Sequence, residues 1–191
     1  MSLRKIIPAT LGAALLVGGV AIASASTMTD STVIVGGQPM FPSKDIVDNA
    51  VNSADHTTLV AAVKAAGLVD TLKTKGPFTV FAPTNEAFAE LPAGTVPSLL
   101  KPENKAMLTK VLTYHVVPGR LDFAALQKLI VAGHGSATLK TVAGETLTVM
   151  MNGPHNIEVA DAKGHVAHIT TYDVTQSNGV IQVIDKVLLP G

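Results

Sequence analysis

The apolar positions of this chain keep a helical rhythm in its first half and a strand rhythm in its second. Ile46, Val47, Ala50 and Val51 fall at i, i+1, i+4 and i+5 behind Ser43, a residue type that caps helices. Leu59, Val60, Val63 and Ala66 share one face of a second helix that Gly67 stops, and residues 68–73 form a short third before the turn at Lys75-Gly76-Pro77. Residues 78–82, aromatic and β-branched, read as a strand ended by Pro83. Thr84 then caps a short helix with Glu86 at the positive end of its dipole. Pro102 and Glu103 open another helix on which Met107, Leu108, Val111, Leu112 and His115 fall on one face, so His115 is expected on the buried side near its end. A helix over residues 121–131 carries Phe123, Leu126, Leu129 and Ile130.

Beyond Gly133 the period drops to two. The segments ATLKTV, ETLTVMM, NIEVA and HVAHITTYDV alternate between Gly144, Asn152-Gly153-Pro154 and Lys163-Gly164, and a last apolar strand covers residues 180–189. Helices first, strands afterwards and one early strand that must pair with the late ones define an α+β domain over residues 43–191.

The start of the chain follows a different logic. Arg4 and Lys5 precede an uncharged apolar run at residues 6–23, and Ala23-Ser24-Ala25 follows; this order predicts a secretory signal peptide over residues 1–25, cleaved after Ala23 or Ala25. The protein is then expected in the periplasm or outside the cell, touching a membrane only through the uncleaved leader. Residues 26–42, with Gly36-Gly37, Pro39 and Pro42, read as an extended arm or linker from which Val33-Ile34-Val35 can dock on the domain.

Composition narrows the chemistry. With 0 cysteines, disulfides, thiolate nucleophiles, sulfur-ligated metals and lipobox lipidation are excluded. The whole chain holds 14 basic and 14 acidic side chains, and losing Arg4 and Lys5 with the leader leaves a small acidic excess. Without a run of Lys or Arg, nothing favours nucleic acid.

His115 is the first residue to weigh for catalysis, as general base or metal ligand against a hydrogen-bonded core histidine. The sequence offers no nucleophile elbow and no H-E-x-x-H to accompany it, which favours the core role. His165 and His168 form an H-x-x-H, but residues three apart on a strand face opposite ways. His56, His134 and His155 sit in turn-like surroundings and read as solvated. The carboxylates Asp122, Glu145, Glu158, Asp161, Asp173 and Asp185 are spread over separate elements without a recognisable dyad, and Gly133-His134-Gly135-Ser136 is a turn without phosphate-cradle spacing. No catalytic residue, metal site or cofactor is expected.

Three stretches carry a resemblance: FTVFAPTNEAF at residues 78–88, TYHVVPG at residues 113–119 and SNGVIQVIDKVLLP at residues 177–190. In order and spacing they resemble the first box, the tyrosine-histidine motif and the second box of a fasciclin (FAS1) domain. That resemblance implies a compact β-wedge packed with several helices, and a secreted, non-enzymatic adhesion module whose partner is a cell-surface or matrix protein or glycan. Animal members bind integrins through an aspartate-aliphatic dipeptide before the second box, which corresponds here to Asp173-Val174. The Tyr114-His115 helix end is a further candidate region. On this view Asp173→Ala weakens attachment and leaves the fold intact. Some fasciclin proteins bind carotenoids, so the alternative is a carrier of a carotenoid or lipid, with Leu147, Val149, Met150 and Met151 lining an apolar groove in place of simply filling the core.

Overall fold

The computed structural model describes residues 32–191, so the leader and the first residues of the arm lie outside the described residues. The rest of the arm is a hairpin, not a plain extension. Strands β1 (Val33–Val35) and β2 (Gln38–Met40) pair through Gly36 and Gly37, whose φ values of 58° and 71° suit the tight turn that matches strand twist. Val35 and Met40 are buried against the domain.

Helices α1 (Ile46–Ala50), α2 (Thr57–Ala66) and α3 (Val69–Leu72) follow, with a 3-10 turn at Ala54–His56 between the first two. Asp45, not Ser43, caps α1, its carboxylate accepting from Asp48 N at 2.8 Å; the turn closed by Lys44 N on Phe41 O keeps Ser43 in the loop. Gly67 ends α2 at φ 72°, the left-handed region that glycine enters without strain. Strand β3 (Phe78–Pro83) leads into α4 (Asn85–Ala89), capped by the Thr84 hydroxyl. Helix α5 (Thr95–Leu99) buries no residue, which is why no apolar period announced it.

Helix α6 (Lys105–Tyr114) buries Leu108, Val111, Leu112 and Tyr114, whereas Met107 is 54% exposed. The inward face is thus rotated from the expected one. Strand β4 (Val116–Pro118) follows at once, and α7 (Phe123–Ala132) starts on Asp122, whose carboxylate accepts from Ala125 N at 2.8 Å.

The remaining strands are β5 (Ser136–Lys140), β6 (Thr146–Met151), β7 (Ile157–Ala160), β8 (Val166–Gln176) and β9 (Gly179–Ile184). Together with β3 and β4 they form a seven-stranded sheet in the order β4-β3-β9-β8-β7-β6-β5. Only β3 and β9 run parallel; every other pair is antiparallel. The early strand does pair with a late one, as the element order required. The last strand stops at Ile184, five residues sooner than its apolar pattern, and Val187 and Leu188 are buried as irregular chain.

Two cores result. One lies between α1, α2, α6 and the β3–β9 face; the other fills the wedge between α7 and the curled strands around Leu126, Leu147, Val149, Ile157 and Ile184. The sheet curls far enough for Val142 N to donate to Val116 O at 2.8 Å, joining its two ends beside α6. Among the described residues no helix is long and apolar enough to cross a membrane.

Candidate functional site

The Tyr114-His115 end of α6 is a structural hub. Leucine, valine and tyrosine side chains on the inward face carry α6 into the wedge, and His115 arrives as its C-cap at 2% exposure. Its Nδ1–H donates to Val111 O at 2.8 Å and its Nε2 accepts from Leu188 N at 3.0 Å. Both nitrogens are satisfied only in the neutral ring, because a proton on Nε2 would face the Leu188 N–H. Burial accordingly pushes the His115 pKa down to about 4, against the opposing Val111 bond and the Asp161 charge. A base this weak and enclosed holds the fold together.

Tyr114 is fully buried; its hydroxyl donates to Thr146 O at 2.8 Å and accepts from Ala162 N at 2.9 Å. The adjacent Asp161 carboxylate accepts from Lys163 N, His165 N and Leu189 N, each near 2.9–3.0 Å, and bonds His165 Nδ1 at 2.9 Å. Burial works to raise the Asp161 pKa, and the Leu189 and His165 bonds overcome it, holding the group below its ordinary value. Asp161 and His115 thereby fasten consecutive amides of the C-terminal segment. The sequence shows Asp161 only as one of several scattered carboxylates, because three of its partners are backbone amides, which leave no residue signature.

The histidine makes a pH prediction. An unfolded histidine titrates near ~6.5, so below that value the unfolded chain takes up a proton the buried ring refuses. Stability contributed by this site is complete above pH ~6.5 and falls by about 3 kcal/mol as pH drops toward the folded value of about 4. Urea unfolding across that range should show a slope reduced by one proton in His115→Gln. An unchanged slope would remove His115 as its source.

Asp173 sits in a bulge of β8, where the register shifts between Thr171 and Val174 and φ is 55°. Its carboxylate accepts from Phe123 N at 2.8 Å and from Gln182 Nε2 at 2.9 Å, while its own N–H donates to Gln182 Oε1 at 3.0 Å. Gln182 is fully buried and also donates to Leu121 O at 3.1 Å. Asp173 therefore clamps the start of α7 onto the sheet, and Val174 is buried in the first core. Asp173→Ala is therefore not expected to be silent for stability: it empties the clamp and places alanine at a positive φ, a cost of about 1–2 kcal/mol within a protein that still folds. Asp173→Asn, which tolerates that backbone, should melt within a few degrees of wild type, and thermal melts of the two variants distinguish the roles.

The clamp mounts a small aromatic face. Phe123 and Tyr172 meet edge to face with ring centroids 5.2 Å apart, both half-buried, and Tyr172 Oη accepts from Ile157 N at 2.8 Å. Arg120, three residues before Phe123, is exposed and donates to Gln176 O at 2.9 Å. Sequence reading missed this pair because Phe123 and Tyr172 are far apart in the chain.

The four residues assigned to an apolar groove do not form one. Leu147 and Val149 are fully buried in the second core, and Met150 and Met151 are half-buried on the same strand. Apolar space lies elsewhere, in a cavity of ≈ 70 Å³ between α1, α2, α6 and β3. That is smaller than the roughly 150 Å³ in which a dry engineered cavity takes up benzene.

The other histidines separate cleanly. His165 turns to Asp161, while His168 bonds Asp185 at 2.9 Å and Glu158 at 3.2 Å, so the H-x-x-H does not converge. Among the described residues no group of three His, Asp or Glu side chains is placed to hold a metal ion. His56, expected in solvent, is 3% exposed beneath the hairpin.

This wedge, with its tyrosine-histidine hub, is the architecture of fasciclin domains. The fasciclin-domain family profile matches residues 54–190, and the chain belongs to that family. It is 47% identical over 184 residues to protein sll1483 of Synechocystis sp., covering 95% of this chain and 93% of that one. It is 36% identical over 146 residues to immunogenic protein MPB70 of Mycobacterium bovis, covering 74% of this chain and 66% of that one. Over 149 residues it is 36% identical to the transforming growth factor-beta-induced protein ig-h3 of Sus scrofa, matching 78% of this chain but 20% of that protein. The FAS1 domain pair of the insect cell adhesion molecule fasciclin I superposes with a TM-score of 0.69 at 18% identity, over 78% of this chain and 52% of the pair.

Proposed function

We propose that this protein is a secreted, non-enzymatic interaction module of the bacterial envelope, working in the periplasm or at the cell exterior. Its partner is a surface or matrix protein or glycan, bound on the face around the Asp173 turn. The observation that carries this reading is the half-buried Phe123–Tyr172 pair with exposed Arg120, held rigid by the Asp173–Gln182 clamp. Aromatic and arginine side chains on a fixed backbone are what interface anchors are made of. Asp173, the residue expected to meet the partner, supports this face from within; Val174, Tyr114 and His115 are buried behind the surface. Membership of the fasciclin family agrees, since the insect relative is a cell adhesion molecule.

The test is capture of envelope components on the immobilised protein, followed by titration of the captured protein or glycan. Arg120→Ala combined with Phe123→Ala should weaken its binding by at least about tenfold, roughly 1.4 kcal/mol, in a protein that still folds. Undiminished binding by the folded double variant would move the site to another face.

A further inference from the structure

Beneath the hairpin β1–β2 lies His56, which takes no part in the Asp173 face or the Tyr114–Asp161 network. Its Nδ1 is 2.8 Å from Ser53 Oγ, and its Nε2 is buried without a hydrogen-bond partner. The ring lines a cavity of ≈ 30 Å³ walled by Val35 and Met40 of the hairpin and by Leu59, Val174 and Ile181 of the domain.

The hairpin rests directly on this pair. A Cβ on Gly36 would come within 2.5 Å of Ser53 Oγ, so only glycine allows the strands to lie this close. Bonds to the domain include Ala54 N to Gly36 O at 3.4 Å, long for its type, the exchange between Phe41 and Asn49 at 3.0 and 2.8 Å, and Ser177 N to Lys44 O at 2.9 Å beyond the hairpin's end. The fasciclin profile match begins at residue 54, after the hairpin.

No carboxylate bonds the ring to receive a cation at this position. Strands β1, β2, β3 and β9 carry no ionisable side chain. Asp48 of α1 pairs with Lys73, Asp173 of β8 holds Phe123, and His168 of β8 bonds Glu158 and Asp185. Lys64 of α2 and Glu86 of α4 make no bond to the ring, and the one charge acting on it is Asp55, exposed on its own turn. Burial lowers the proton affinity of His56, with the nearby Ala82 carbonyl and Asp55 opposing.

We propose that the hairpin is an acid-released strap: a second proton on His56 lifts β1–β2 from the 3-10 turn as a unit while the seven-stranded sheet stays folded. The protonated ring faces Ser53 and the Ala82 carbonyl but has no counter-ion bonded to it in a pocket walled by apolar side chains, so its charge is better held in water, and the hairpin that covers it is the element that yields. Release exposes Val35, Met40, Leu59 and Ile181 and frees the N-terminal arm from the domain. His115, whose ring is bonded at both nitrogens and whose pKa burial pushes down to about 4, stays neutral in the closed wedge over the same interval, so the wedge weakens there without opening at that ring.

Hydrogen exchange followed by peptide mass spectrometry, corrected for the intrinsic pH dependence of exchange, reads this directly. By about pH 5 the peptide over residues 32–44 should exchange close to its unprotected rate, at least about tenfold faster than at about pH 7.5, while peptides over β8 and β9, though less protected than at neutral pH, stay strongly protected. His56→Gln, which cannot take up the proton, should hold the hairpin protected at both values. Should that variant fail to fold, the wild-type His56 imidazole resonance must titrate with the midpoint of hairpin opening. Protection that persists in the wild type, an opening unchanged in folded His56→Gln, a mismatch of the two midpoints, or full loss of protection in the β8–β9 peptides along with the hairpin would each overturn the strap.

Discussion

Gly179→Ala should be among the most damaging single substitutions in this chain, lowering unfolding free energy by about 4 kcal/mol or preventing folding altogether. Gly179 opens β9 opposite Phe78 in the one parallel pair of the sheet. A Cβ there would stand 2.1 Å from the Phe78 carbonyl oxygen and 3.0 Å from Ile46 Cδ1. The isoleucine tip can turn aside. The backbone oxygen cannot, because Phe78 N also donates to Asn178 O at 3.0 Å and fixes the two strands at this point. Asn178 itself is tied down, donating to Leu72 O and Thr74 O and accepting from Ile46 N. Separating β3 from β9 would open both cores at once, since these strands carry Val80 and Ile181 on one side and Phe81 and Ile184 on the other. Urea denaturation of the purified variant is the measurement, and a loss below about 1 kcal/mol would show that the strands can part at little cost.

Asp161→Ala is expected to cost about 3–5 kcal/mol, the range for removing one buried partner of a charged, hydrogen-bonded set. The carboxylate holds the amides of Lys163, His165 and Leu189, and alanine offers none of them an acceptor. The C-terminal segment would loosen first, and with it Leu188, whose amide is the donor to His115. Asp161→Asn keeps an acceptor oxygen but loses the charge, and should fall between alanine and wild type. Calorimetric melts of the three proteins rank them; equal melting temperatures for alanine and asparagine would assign the effect to packing instead of hydrogen bonding.

Both substitutions act where distant parts of the chain meet, and this is where the sequence reading was weakest. The helical periods of α2 and α7, the strand alternation of β5 to β8 and the Thr84 cap were legible, because each depends on neighbours within a turn or a pleat. The inward side of His115 could be read from its helix as well. Met107 and Val51 are exposed where the helical period predicts them inward: a helix face is wider than the stripe its neighbours cover, and the partner elements decide which edge is sealed. His56 was assigned to solvent for a similar reason, since the hairpin that covers it crosses from another part of the chain.

The functional face divides along the same line. The three fasciclin boxes identified the family and the α+β wedge from sequence, because a fold that needs particular side chains at the β3 turn, the α6 end and β9 leaves a local imprint. Asp173 was noticed, yet its partners were not: Phe123 lies fifty residues away, and Gln182 is buried on the next strand. Local sequence determined the elements and the family, since propensity, capping and periodicity act over a few residues. Tertiary structure alone decided that Asp173 is a clamp, that Leu147 and Val149 are core and that His56 lies beneath the β1–β2 hairpin, because burial and hydrogen bonding depend on what the rest of the chain brings alongside.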